Sequence, residues 1–138
     1  MGLSTLRKRL PKRETKPLLE IDLSGVLGAA EPGQDNILRF RELNTPDLFP
    51  DKTRATRLRV MHPSWSDLLL MQVLILASCY VPSGDDTEGT DIDEEIAALV
   101  EEQRDLFLHI YTEFSNSFPM AAISADSAKN ALAQTSKT

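Results

Sequence analysis

Between Pro63 and Pro82 the chain carries a dense apolar run, Leu68 to Val81, interrupted by Gln72 and Ser78. A helix of that composition is apolar nearly all round, so it belongs in the middle of a bundle or at an interface. The run is shorter than the ~18–20 residues that span a bilayer, which predicts a buried core helix over 65–81 and no membrane partner. Ser64 and Asp67 stand at capping-box spacing ahead of it, and Pro82 stops it.

A helix that needs cover on every side calls for partners, and the flanking sequence offers them. Residues 91–116 read as a long amphipathic helix. Ile92, Ile96, Leu99, Val100, Phe107, Ile110, Tyr111 and Phe114 recur at spacings of three and four, while Glu101, Glu102 and Asp105 face out. Thr90 is expected to cap it, with Asp91, Asp93, Glu94 and Glu95 at the positive end of its dipole. Residues 46–61 read as a short basic helix. Thr45-Pro46 offers a start, Pro50 a second one, and Pro63 the end. Its Arg54, Arg57 and Arg59 are placed to pair with the acidic helix.

Ahead of the helices, Leu19, Ile21 and Leu23 alternate with Glu20 and Asp22, and Leu38 and Phe40 alternate with Arg39 and Arg41. A period of two marks half-buried strands. A β-hairpin over 18–43 is expected, with Glu20 and Asp22 facing Arg39 and Arg41. A lone hairpin is marginal in water and must pack on the helices. The fold class is therefore α+β, mainly α: a small N-terminal hairpin on a bundle of about three helices. One globular domain, 18–118, is flanked by a flexible basic arm, 1–17, and a flexible polar tail, 119–138. Within the arm, a short helix near Ser4–Leu10 would order on binding. With 138 residues, 41% hydrophobic and 26% charged, one core is feasible without staples.

Charge is segregated. Met1–Glu20 holds six basic residues against two acidic, and Asp85–Asp105 holds ten acidic against one basic, Arg104. Such asymmetry sets the two regions toward different surroundings or toward each other. The arm has no aromatic among its basic residues, so base stacking is not indicated, and the overall acidity argues against a nucleic-acid partner. The start has charge but no long apolar stretch, unlike a secretory signal.

The residues with chemical potential are scattered. Cys79 is the one cysteine and reads as a buried thiol. His62 and His109 are isolated and lack zinc-ligand spacing. The acidic stretch Asp85–Glu95 lacks the ligand order of an EF-hand. No catalytic residue, metal site or cofactor is expected.

A short basic start, a segment ending Leu38-Arg39-Phe40-Arg41-Glu42-Leu43, helices, and an Ala/Ser/Lys/Asn-rich end together resemble the tail assembly chaperones of long-tailed phages. Members of that family often carry an arginine-glutamate-leucine segment near the end of an N-terminal sheet, here Arg41-Glu42-Leu43. They often finish in a lysine-asparagine-containing tail, here Ala128-Lys129-Asn130. The acidic loop and the Trp65 segment have no counterpart in that pattern. The resemblance implies a non-enzymatic protein of the host cytoplasm that coats a tape-measure protein during tail assembly. The contact residues come from the apolar stripe and not from a family motif: Phe114, Phe118, Met120 and Ile123, where the stripe runs off the long helix. The alternative for the two phenylalanines is that they close the core. The alternative function is an adaptor or accessory subunit of a larger protein or ribonucleoprotein assembly, docking through helix 66–81.

Overall fold

The computed structural model describes residues 2–9, 19–28, 32, 35–83 and 89–136. Its elements are α1 (Leu3–Arg9), β1 (Leu19–Asp22), α2 (Ser24–Leu27), β2 (Ile37–Phe40), α3 (Lys52–Met61), α4 (Asp67–Cys79), α5 (Ile92–Glu102), α6 (Arg104–Ser117) and α7 (Ala125–Ser136), with 3-10 turns at Thr45–Leu48 and Pro119–Ala121. The molecule is mainly helical with one small antiparallel sheet.

The apolar helix sits where its composition requires. Leu70, Met71, Val73, Leu74, Ile75, Leu76 and Cys79 of α4 are all buried, and α4 touches α3, α5, α6 and α7. Each such aliphatic side chain contributes about 1.5–3 kcal/mol on leaving water, so the cover around α4 is the main source of stability. The cap differs from expectation. Ser66, not Ser64, accepts the Leu69 N–H at 3.1 Å, and Asp67 is taken by Arg59.

The hairpin has the expected alternation, with Leu19 opposite Phe40, Glu20 opposite Arg39 and Ile21 opposite Leu38. Ile21, Leu23 and Phe40 are buried while Glu20 and Asp22 are exposed. Arg39 lies 3.9 Å from Glu20. The second expected cross-strand pair does not form. Asp22 instead accepts the Ser24 N–H at 2.9 Å and starts α2. Arg41 grips Asp47 with two bonds of 2.8 and 2.7 Å. The other edge of β2 is closed by the chain leaving α4. Arg41 N–H donates to the Cys79 carbonyl, Val81 N–H donates to the Arg39 carbonyl, and Tyr80 stands opposite Phe40. This long-range pairing fastens an otherwise marginal hairpin to the core helix.

Two helices expected as single elements are divided. The 46–61 segment opens as a 3-10 turn boxed by Asn44 and Asp47, breaks at Phe49–Asp51, and restarts at α3. There Asp51 accepts the Thr53 and Arg54 N–H groups. Pro50 enforces the break, since the residue before a proline avoids helical geometry. The 91–116 segment breaks at Gln103 (φ −144°, ψ 66°), and its cap is Asp91, which accepts the Glu94 N–H, not Thr90. Glu101 and Glu102 crowd the negative end of the α5 dipole, a poor place for carboxylates. The break also lets the stripe turn, so that Phe107, Ile110, Tyr111 and Phe114 of α6 enter the core.

The C-terminal segment is not a loose tail. Ser124 Oγ accepts the Ser127 N–H at 3.0 Å and opens α7. Ala128 and Ala131 are buried, and α7 packs on both α3 and α4. Small residues allow that close approach while contributing little to an apolar pattern. In the basic arm, Leu3–Arg9 forms α1, and residues 10–17 lie outside the described residues.

Candidate interaction surface

Three segments distant in sequence leave their apolar cover incomplete at one place. Leu38 reaches it from β2, Tyr80 from the end of α4, and Ile92, Ile96 and Leu99 from α5. The five side chains are half-buried, while Phe40, Leu76 and Ile110 form a buried floor. The alternation of β2 puts Leu38 and Phe40 on one face, and the α5 residues recur at four and three, so each element delivers a stripe. The cleft holds about 130 Å³. That is close to an engineered cavity of ~150 Å³ that accepts benzene, so it takes one aromatic or branched side chain. Glu95 stands at its edge. Glu94, Glu95 and Glu102 are exposed and form no ion pair with a described residue.

Two of the three α3 arginines pair with the start of α5 as expected, whereas Arg59 turns to Asp67 and the Trp65 carbonyl. Arg54 donates to both oxygens of Asp93, at 2.8 and 2.6 Å, and to Ser78 Oγ at 3.0 Å. Arg57 lies 3.0 Å from Asp91 and 3.3 Å from Asp93. Its partner carboxylate holds the Arg54 guanidinium above its ordinary pKa, against the opposing effect of burial. Of the expected acidic stretch, Asp91 and Asp93 are thus bound to arginines. Residues 84–88 lie outside the described residues.

His62 and Trp65 make a clamp that sequence spacing did not reveal. Their rings stack at 3.9 Å and 9°. One oxygen of Glu101 accepts the Trp65 Nε1–H at 2.8 Å and lies 3.1 Å from His62 Nδ1. The clamp ties the end of α5 to the turn between α3 and α4. His109 is exposed on α6.

The four residues named as a contact surface differ in exposure. Phe114 is fully buried, with ring centroids 5.4 Å from Phe40 and 5.1 Å from Phe118. Phe118 and Ile123 are half-buried against the core, and Met120 is 48% exposed. The Pro119–Ala121 turn folds the stripe inward, pinned by Tyr111 Oη–H donating to the Ala121 carbonyl at 2.6 Å. Most of helix 66–81 is covered by its own chain, and its Leu76 and Tyr80 line the cleft. A second groove, of about 160 Å³, lies between α3 and α7, with Val60 74% exposed at its side.

Cys79 is buried, and its thiol donates to Asp47 at 3.7 Å. Burial first, then the Asp47 charge, pushes its pKa up to about 12. A thiol disulfide reagent at about pH 8 should therefore leave the native thiol unmodified and titrate it fully in denaturant. Rapid native labelling would contradict the burial.

Asp47 titrates in the opposite sense. Burial raises its pKa, but the bonds from Arg41 and the Asn44 N–H outweigh it, and the carboxyl lies below its ordinary value. A depressed native pKa contributes stability that is complete above about pH 4 and is lost as pH falls through the native value. Unfolding free energy should decline on acidification, and Asp47→Asn should make that decline shallower. Equal slopes in the two proteins would rule out this role.

Among the described residues no helix is long and apolar enough to cross a membrane, and no group of three or more His, Cys, Asp or Glu side chains is gathered to hold a metal ion. Comparisons with models of known families, with curated sequences and with solved structures find no match.

Proposed function

We propose that this chain is a non-enzymatic assembly chaperone that holds a helical partner through the cleft over α5. The observation that carries the reading is the convergence of five half-buried apolar side chains, from three elements, around a space fitted to one large side chain. Helical partners are commonly read by grooves that take apolar anchors spaced one turn apart. The carboxylate of Glu95 at the cleft edge, with exposed Glu94 and Glu102 elsewhere on α5, would keep a complex charged and soluble. The resemblance to phage tail assembly chaperones supplies the partner class: a tape-measure protein, long, helical and aggregation-prone when bare.

Co-expression with a tape-measure fragment tests the function and the site together. The wild-type chain should render the fragment soluble and co-purify with it. Ile96→Ser removes an anchor contact from a half-buried position. It should weaken capture by about tenfold or more, as loss of a central interface contact does, with native circular dichroism retained. Met120→Ser should capture normally. Undiminished capture by Ile96→Ser would remove the cleft from the reading. A fragment that stays insoluble with the wild-type chain would remove the chaperone role and leave the adaptor reading, in which the same cleft serves a different helical partner.

A further inference from the structure

We propose that a second copy of this chain fills the cleft over α5, inserting Val60 of its α3, so that free molecules join head to tail. The inference rests on the cleft being a docking surface, not on the identity of the external partner. Val60 is 74% exposed, and among the described residues of the helices around α4 no large apolar side chain is more so. Met61 beside it is 49% exposed and widens the apolar tip. A branched side chain of this kind suits a cleft of about 130 Å³ with an apolar floor. Val60 lines the groove between α3 and α7, whereas the cleft is walled by β2, the end of α4 and α5. Knob and hole are therefore different faces of one rigid core, and Val60 can enter only the cleft of another molecule. Two unlike faces that fit each other make a heterologous contact, which repeats from copy to copy.

Charge selects this pairing over the others. Lys52, Thr56 and Val60 follow one another at intervals of four along one face of α3. Lys52 and Arg59 line the groove beside Val60, with Arg59 also holding Asp67, and Lys129 is exposed on α7 one turn before the groove-lining Leu132. The edge of the cleft is acidic: Glu95 stands on it and the neighbouring Glu94 is exposed. Entry of Val60 brings the basic rim against the acidic one. Cleft against cleft, or groove against groove, would set like charges together, which costs affinity. Other exposed apolar side chains lack the match. Phe49 stands between Asp47 and Asp51, and Met120 has no charged residue within four positions.

The test is sedimentation velocity on the full chain, with no partner present, over about 0.01–1 mM. The wild-type chain should pass from monomer to dimer and larger species as concentration rises. Val60→Glu keeps the cleft and Ile96→Ser keeps the Val60 face. Each should weaken association by about tenfold or more with native circular dichroism retained, and Glu95→Lys should do the same by setting like charges together. The decisive sample is Val60→Glu mixed in equal amount with Ile96→Ser, at a concentration where each alone is monomeric. The mixture should form a dimer and nothing larger, because one sound knob meets one sound cleft and no second junction remains. A wild-type chain that stays monomeric throughout would overturn the proposal, as would a mixture that does. Loss of association in Ile96→Ser alone would mean cleft against cleft, and loss in Val60→Glu alone would mean groove against groove; either overturns it. Association unchanged in Glu95→Lys would overturn the charge-matched docking. Val60→Glu should still capture the tape-measure fragment, since its cleft is intact. Failure of self-association therefore leaves the capture reading standing, and failure of capture leaves the head-to-tail contact standing.

Discussion

Replacing Phe114 with alanine should cost about 3–5 kcal/mol of stability, seen as a lower urea midpoint with an unchanged slope. The ring is wholly buried and packs edge-on against Phe40 of β2 and Phe118 beyond α6. It is also 6.0 Å from Tyr111. One side chain therefore joins the sheet, α6 and the turn after it, and no neighbour is free to fill the space it leaves. The cost includes the cavity as well as the lost transfer energy. Met120→Ala, at an exposed position on the following turn, should stay within about 0.5 kcal/mol of wild type. A loss below about 1 kcal/mol for Phe114→Ala would mean that the ring is not part of the core. The comparison also guards the capture experiment: a Phe114 variant that fails to capture has lost its fold, not a contact.

Phe114 shows both how far the sequence could be read and where it stopped. Periodicity identifies which residues leave water, and it placed Phe114 on the buried stripe of α6 and Ile21 and Phe40 on one face of the hairpin. It also found α4, because an all-round apolar helix between two prolines has few alternatives. Periodicity does not report what covers a stripe. Ile92, Ile96 and Leu99 have the same pattern as Phe107 and Ile110, yet the first three are half-buried and the last two fully buried. The difference arises where β2, the end of α4 and α5 meet, and those segments are far apart in sequence. α7 was missed for a related reason. Ala128 and Ala131 bury little area and carry little apolar signal, but their size lets the helix approach α3 and α4 closely. The run from Phe118 to Ile123 looked like a stripe leaving the core, because nothing local announces that Tyr111 will catch the Ala121 carbonyl.

Asp93→Ala should be the most damaging charge removal, with a loss of about 2–3 kcal/mol. In the sequence Asp93 is one of four acidic residues at the start of a helix, where its expected role is a modest and solvent-exposed contribution to the dipole. In the structure it is the charged residue buried among those described, 6% exposed, and it holds Arg54 and Arg57 together. Removing it leaves the Arg54 guanidinium beside Ser78 and the Leu74 carbonyl without its bonded carboxylate, and with only the weaker pull of Asp51 and Asp91. Breaking a fully buried pair costs about 3–5 kcal/mol. Arg54 retains 31% of its side-chain exposure and can turn partly to water, which sets the lower range. Arg57→Ala, at a side chain 40% exposed, should cost under about 1 kcal/mol. Asp93→Leu combined with Arg54→Met should recover much of the loss, because a matched apolar pair leaves no orphaned charge. If Asp93→Ala unfolds within about 0.5 kcal/mol of wild type, the cluster is a solvated face and not a brace. If the loss is large, it reaches the cleft too, because Asp93 anchors the first turn of α5 to α3 and that turn carries Ile92. Capture by Asp93→Ala should then fall even where the protein remains folded, while the double replacement, which restores the brace without the charges, restores capture.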